Sequence, residues 1–307
     1  MTPRDVLAAI GVAVVWGLTF IAVKVGVGET SPLMLSALRF LFAAVPFVFI
    51  VRPPKAPVLT VVVYGLLIGL GQFGLLFLAI RDGFPVGLAS LIIMAQAFFT
   101  IALAWAFLNE NPRRIQLVGA AVAFLGMAVI GSDRLAGASL GPFLLVILAA
   151  FFWGCGNVLA KTAGRIDMLA FTVWSSLAAP LPLALLSLAL DGPGPMLALA
   201  HPTWRLVLSV LVVAYAGTVF GFGVWARLLA DYSAATVAPF ALLVPVVGMA
   251  AGAVVFAEPL RPVELFGALL VMAGLALNVF SDWPLRRGAP APQVISHARH
   301  QGDPRRS

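Results

Sequence analysis

Ten apolar stretches, each about as long as a bilayer is thick, follow one another along this chain with only short polar breaks between them. That succession limits the fold more than any motif does. A helix crosses the hydrocarbon core in roughly 20 mostly apolar residues. The stretches lie at 5–26, 33–51, 60–80, 86–107, 115–131, 142–162, 169–189, 204–225, 237–256 and 263–280. In lipid every backbone N–H and C=O must find a partner within the segment, so runs of this length form helices. The expected fold class is therefore an all-α polytopic membrane protein with ten transmembrane helices.

Composition decides between lipid and water as the solvent. Hydrophobic residues make up 62% of the 307 and charged residues 10%, whereas soluble domains carry about 25% charged residues. A water-soluble fold of this size would lack polar side chains to cover its surface. The net charge of +7 does not point to nucleic acid, because the basic residues sit in short loops and at the C-terminus between apolar runs, which is a topology signal. Cys155 is the single cysteine, so no intrachain disulfide forms. His201, His297 and His300 are the three histidines, and no metal site or cofactor is expected from them. The apolar run after Arg4 is longer than a signal peptide's 7–15 residues. Residues 283–307 are rich in Pro, Arg, His and Gln and read as a disordered tail.

Counting Lys and Arg by alternating loops places 13 of the 19 on one side, five on the other, and Arg39 inside a helix. The richer side is expected to be cytoplasmic and holds both termini, which requires an even number of spans.

The chain also repeats itself. Trp16, Gly17 and Lys24 recur as Trp153, Gly154 and Lys161 at an offset of 137. Glu110, Arg113, Gly119 and Gly126 recur as Glu258, Arg261, Gly267 and Gly274 at an offset of 148. Each copy holds five helices, over 1–132 and 140–282. Five is odd, so the second copy enters the membrane from the opposite side. Inverted repeats of this kind build secondary transporters, with a binding site near the midplane between the halves. The inversion puts Lys24 at the outer end of the first helix and Lys161 at the inner end of the sixth.

Several stretches resemble the EamA family of the drug/metabolite transporter superfamily: WGLTFIAVK at 16–24, Leu-Arg-Phe at 38–40 and Leu-Asn-Glu at 108–110. The second half echoes them as WGCGNVLAK at 153–161 and Phe-Ala-Glu at 256–258. The resemblance covers residues 1–282. PLMLSALRF at 32–40, GLASLIIMAQAFFTI at 87–101, WGCGN at 153–157 and APFALLVPVVG at 238–248 are most similar to the branch that exports O-acetylserine and cysteine. It implies an exporter of small amino-acid metabolites in a bacterial inner membrane, working by alternating access. Another metabolite or a drug as cargo, and a non-transporting receptor or scaffold, stay open as alternatives. Thr19 stands where family members commonly carry Asn.

Polar groups in hydrocarbon are costly, and each asks for a role. Trp153, Asn157 and Lys161 share one helix face at i, i+4 and i+8, and Trp16, Phe20 and Lys24 form the matching stripe. Both stripes are expected to face a central cavity that takes a small zwitterion, or else to pack and snorkel. Gln72, Gln96, Thr100, Tyr64 and Tyr215 are further candidates for contact with substrate, with helix-to-helix bonding as the alternative. Arg39 either reaches the outer interface or binds a carboxylate bidentately. Glu110 and Glu258 end equivalent helices and act as gates or as helix-end structure. There is no P-loop, HExxH or GxSxG motif to suggest ATP hydrolysis, protease or lipase chemistry. No Asp or Glu lies at mid-helix depth for a proton relay. The expected partners are the substrate and the lipid bilayer, with no nucleic acid, and two copies pairing as a homodimer is compatible with this reading.

Overall fold

A computed structural model describes residues 1–136, 140–164, 167–232, 237–259 and 261–280. The C-terminal tail anticipated at 283–307 lies outside the described residues. Among the described residues the ten long helices are α1 (Pro3–Glu29), α2 (Pro32–Val48), α3 (Val58–Arg81), α4 (Val86–Leu108), α5 (Arg114–Ala136), α6 (Leu140–Thr162), α7 (Met168–Asp191), α8 (204–231), α9 (Ala238–Phe256) and α10 (Pro262–Phe280). Among the described residues nine have the length and apolar composition to cross a membrane, and α2 is shorter, at 17 residues. The second span was expected to run to residue 51. It stops at Val48, two residues after Pro46, which offers no N–H to the helix ladder.

Local chemistry sets the helix starts. Thr2, Ser31, Asp167 and Thr203 each accept a backbone N–H in the first turn of the helix that follows. Pro3 and Pro32 occupy first helical positions, where a missing N–H costs nothing. The ends of α4 and α9 are matched too. Asn109 and Ala257, 148 positions apart, are the described non-glycine residues with positive φ, at 56° and 49°. Each caps its helix in the left-handed conformation, and the next N–H reaches back to Ala104 and Gly252 respectively.

The helices are less regular than hydropathy suggests. Leu67–Gly74 within α3 and Val212–Phe220 within α8 are π-helical. Ile93–Ala95 within α4 and Ala238–Leu242 at the start of α9 are 3₁₀ turns. A break at 176–179 divides α7 just before Pro180. Each irregular segment of one half has its counterpart in the other, apart from the break in α7.

The antiparallel relation of the halves is visible where α5 crosses α10. A Cβ added to Gly119 would sit 2.8 Å from the Gly274 carbonyl oxygen, and one on Gly126 would sit 2.6 Å from that of Gly267. Moving seven residues forward on α5 moves seven backward on α10. Because Gly119 is equivalent to Gly267, and Gly126 to Gly274, the crossing is self-complementary about a two-fold axis. Absent side chains let the backbones touch, the usual device where lipid supplies no hydrophobic drive between helices.

Helix α4 fixes the two ends of the bundle. Its first N–H groups, on Val86 and Gly87, donate to Glu258 at 3.1 and 3.3 Å. Glu110, just past its last turn, accepts from Lys161 at 2.5 Å. Lys24 also donates to Glu258, at 2.6 Å. Lys24 and Lys161 therefore lie at opposite ends of one helix of about 35 Å at 1.5 Å per residue, as the inverted repeat requires.

Candidate functional site

A cavity of about 100 Å³ lies between the halves. Its walls come from α1 (Trp16, Thr19, Phe20, Val23), α2 (Arg39), α3 (Tyr64, Ile68, Gln72, Phe73, Leu76, Phe77), α4 (Ile93, Met94), α6 (Trp153), α8 (Val213, Gly217, Phe222) and α9 (Val244). The lining is mostly apolar and aromatic with a few polar groups, the usual make-up of a small-molecule site.

Arg39 is the group on which the site turns. It is 5% exposed, so it does not reach the interface, which was one of the two expectations for it. Its guanidinium carbon lies 3.4 Å from the centre of the Phe73 ring, close enough for a cation–π contact. Its Nε and Nη2 donate to Thr218 Oγ1 at 3.3 and 3.1 Å. Thr218 in turn donates to the Val213 carbonyl, five residues back, at 3.0 Å. Among the described residues no carboxylate pairs with Arg39, and Nη1 has no hydrogen-bond partner.

The backbone irregularities explain how these groups meet. The π segment of α3 carries Gln72 and Phe73, and that of α8 carries Gly217 and Thr218. Single π turns concentrate at functional sites because they redirect side chains and loosen backbone groups from the regular ladder. Here the Gly217 carbonyl accepts from Trp16 Nε1 at 2.8 Å, which fixes the indole at the cavity wall. Trp16 packs further against Phe222 and Trp225, with ring centres 5.4 and 5.2 Å away. Thr19 is spent on the Trp16 carbonyl, at 2.6 Å. The Gln72 amide is buried on the cavity wall and makes no hydrogen bond to another described side chain.

Six of the residues picked from the sequence line the cavity: Trp16, Thr19, Arg39, Tyr64, Gln72 and Trp153. The others lie elsewhere. Gln96, Thr100 and Asn157 bond to one another across the contact of α4 with α6. Asn157 Nδ2 donates to Gln96 Oε1 at 2.6 Å and to Thr100 Oγ1 at 3.1 Å. Thr100 also donates to the Gln96 carbonyl at 2.7 Å. These bonds use Gln96 Oε1 and the Asn157 Nδ2 donors and form a polar seam between the two helices. At the equivalent places of the other half stand Val244, Gly248 and Phe20, so the seam belongs to one half only. Tyr215 faces Phe47 of α2, with ring centres 6.1 Å apart.

Lys24 and Lys161 do not line the cavity either. Each meets the glutamate of the opposite half at one end of the bundle. The two pairs differ in exposure: the glutamate side chain is 8% exposed at Glu258 and 47% at Glu110. Lys24 also lies 4.4 Å from the centre of the Phe256 ring. The Lys24 end is closed further by Ser31 and Ser187, whose hydroxyls are 2.6 Å apart, and by the buried side chains of Phe77, Phe84, Leu88 and Leu91. The opposite end has a solvent-exposed ion pair.

Thr218 and Phe73, which hold Arg39, were missed in the sequence. The available signal was glycine spacing: Phe73 stands between Gly71 and Gly74, and Thr218 between Gly217 and Gly221. Nothing in a hydropathy profile marks a π segment.

Known proteins share this architecture. A model of the EamA-like transporter family matches residues 4–132 and again 140–280. A protein of Salmonella typhimurium named a probable amino-acid metabolite efflux pump is 43% identical over 91% of this chain and 96% of its own. Its Escherichia coli namesake is 42% identical over the same shares. A solved crystal structure superposes with a TM-score of 0.61 at 17% identity, covering 91% of this chain and 98% of that one, and speaks for the fold alone. With the family pattern matched in each half and whole-length relatives at this identity, the chain belongs to the EamA-like transporter family.

Proposed function

We propose that this protein exports small amino-acid metabolites, of the cysteine and O-acetylserine kind, across a bacterial inner membrane by alternating access. One observation carries the reading. Both halves of an inverted repeat wall a cavity in which a buried cation and a buried amide have hydrogen-bonding capacity left over. A buried charge without a counter-ion is costly, and a ligand carboxylate satisfies it. The guanidinium is already stacked and bonded on one side, so its remaining donors are presented in a fixed orientation.

Size agrees with a small cargo. The cavity of about 100 Å³ is well below the roughly 300–1,000 Å³ of pockets that take drug-sized ligands. That suits a compact amino acid better than a large drug. The naming of the Salmonella and Escherichia coli relatives as efflux pumps supports the direction of transport. In this reading the Lys24–Glu258 and Lys161–Glu110 pairs are the gates. The first closes the outer end, the second stands at the cytoplasmic end with both termini, and rocking of the halves 1–132 and 140–282 exchanges their roles.

The test is efflux of labelled cysteine or O-acetylserine from cells overproducing the protein. Faster efflux than from vector controls is expected. No enhancement with the protein correctly inserted overturns the substrate assignment. The aromatic lining favours a second reading, an aromatic amino acid as cargo. Competition by tryptophan in the same assay separates the two.

A further inference from the structure

Trp16 of the first half donates its indole N–H to the Gly217 carbonyl of the second, at 2.8 Å. That carbonyl is available because α8 is π-helical from Val212 to Phe220, and such turns release backbone groups from the regular ladder. Gly221 makes room for the ring, since a Cβ there would overlap Trp16 Nε1. Trp153 is the equivalent residue at an offset of 137. It lines the same cavity, and its helix α6 packs on the π segment of α3, Leu67–Gly74, as α1 packs on that of α8. Yet its Nε1 bonds to no other described residue. Among the described residues Thr30 Oγ1 is the one buried side-chain N or O without a hydrogen-bond partner, so the Trp153 N–H is accessible and not sealed in.

We propose that Trp16 and Trp153 form a two-position switch. In this structure Trp16 is bonded to the π segment of α8 and Trp153 is idle. In the opposite-facing state Trp153 donates to a carbonyl in the π segment of α3, and Trp16 is released. This rests on the alternating-access reading above and deepens it by naming the contacts that exchange.

Symmetry supplies the physical reason. Two halves of one fold, inverted in the membrane, reach the opposite-facing state when each takes up the arrangement that the other had. A contact made by one half and missing from the other therefore marks the present state. The ends of the bundle are unequal in the same sense, with the Glu258 side chain 8% exposed and that of Glu110 47%. The Trp16 bond thus goes with closure of the Lys24 end, and the Trp153 bond with its opening. Both bonds run between the halves, so rocking breaks one as it makes the other. One hydrogen bond shifts such a balance by about two- to tenfold.

The experiment reads the closed end directly. Ser187 is buried there, its hydroxyl 2.6 Å from that of Ser31. In the full-length protein carrying Cys155→Ser and Ser187→Cys, purified in detergent, the rate of maleimide labelling reports how often that end opens. Trp16→Phe keeps a ring and removes the donor, and is expected to speed labelling at least twofold. Gly221→Ala pushes the indole off the carbonyl and should do the same. Trp153→Phe removes the bond of the other state and should slow labelling at least twofold. Combining the two Phe substitutions should return the rate to near that of the parent. General loosening of the fold would speed labelling in every variant, so the same sign for Trp16→Phe and Trp153→Phe, or no change in either, overturns the switch. Should Trp16→Phe fail to insert, Gly221→Ala supplies its arm. O-acetylserine efflux from liposomes holding the parent protein is measured in parallel. Efflux without the opposed labelling overturns the switch and leaves the export reading standing. Opposed labelling without efflux sustains the switch and overturns the cargo assignment.

Discussion

Lys24 Nζ lies 2.6 Å from Glu258 Oε1, and the same carboxylate accepts the N–H groups of Val86 and Gly87 at the start of α4. Its symmetry mate, Lys161 with Glu110, is as short but stands in solvent. A carboxylate on helix N-terminal amides gains from both the hydrogen bonds and the helix dipole. An exposed pair is worth little.

Unequal costs follow for equivalent substitutions. Glu258→Gln is expected to destabilise the protein by about 1.5–3 kcal/mol, the range for hydrogen bonds to a charged group. Glu110→Gln is expected to cost less than about 1 kcal/mol. Thermal unfolding of both variants in one detergent checks this. Exchanging the charges should be tolerated at Lys161 and Glu110, but not at Lys24 and Glu258, where a lysine would face helix N–H groups.

Glycine at the crossing of α5 and α10 is required by space. Gly126→Ala would place a carbon 2.6 Å from a backbone oxygen, so the helices must part, at a cost of about 1–3 kcal/mol. Gly11→Ala, where an added carbon meets nothing within 4 Å, is the matched control and should leave the melting temperature unchanged or raise it.

The two buried glutamines should separate by phenotype. Gln72→Leu removes a cavity amide and is expected to weaken apparent substrate affinity several-fold with little effect on stability. Gln96→Leu breaks the seam with Asn157 and Thr100. It is expected to cost about 0.6 kcal/mol, typical of side-chain bonds between membrane helices, while leaving affinity within twofold. Concentration-dependent flux together with thermal unfolding distinguishes the two outcomes.

Ala257 holds a left-handed conformation, with φ at 49°, that its equivalent Asn109 adopts more readily. The strain on a residue with a Cβ is roughly 1–2 kcal/mol. Ala257→Asn, which copies the other half, is expected to stabilise the protein by about 0.5–1 kcal/mol, read as a higher melting temperature without loss of transport.

The residues chosen for the site show how far linear information reaches. Trp16 and Trp153 were found by their repetition and do line the cavity. Gln96 and Asn157 look just as promising in the sequence, being polar groups at mid-helix, yet they lie outside the cavity lining and Asn157 donates to Gln96 across a helix contact. A buried amide is conspicuous in a hydropathy profile whether its partner is a ligand or a neighbouring helix. The profile holds no record of which partner it has. Lys24 and Lys161 were correctly placed at opposite ends, but their glutamate partners come from the other half, more than 50 residues away for one and more than 230 for the other.

Chain order alone determined the solvent, the ten helices, the duplication and its inversion. Each follows from segment length, hydropathy or residue identity at a fixed offset, and lipid allows few alternatives. Tertiary structure alone decided which polar groups remain free. It turned α3 and α8 through π segments, set Phe73 and Thr218 around Arg39, and formed the Gln96 seam. Those outcomes depend on distances between helices that are remote in the chain, and a free donor becomes visible only once every neighbour that might have satisfied it is in place.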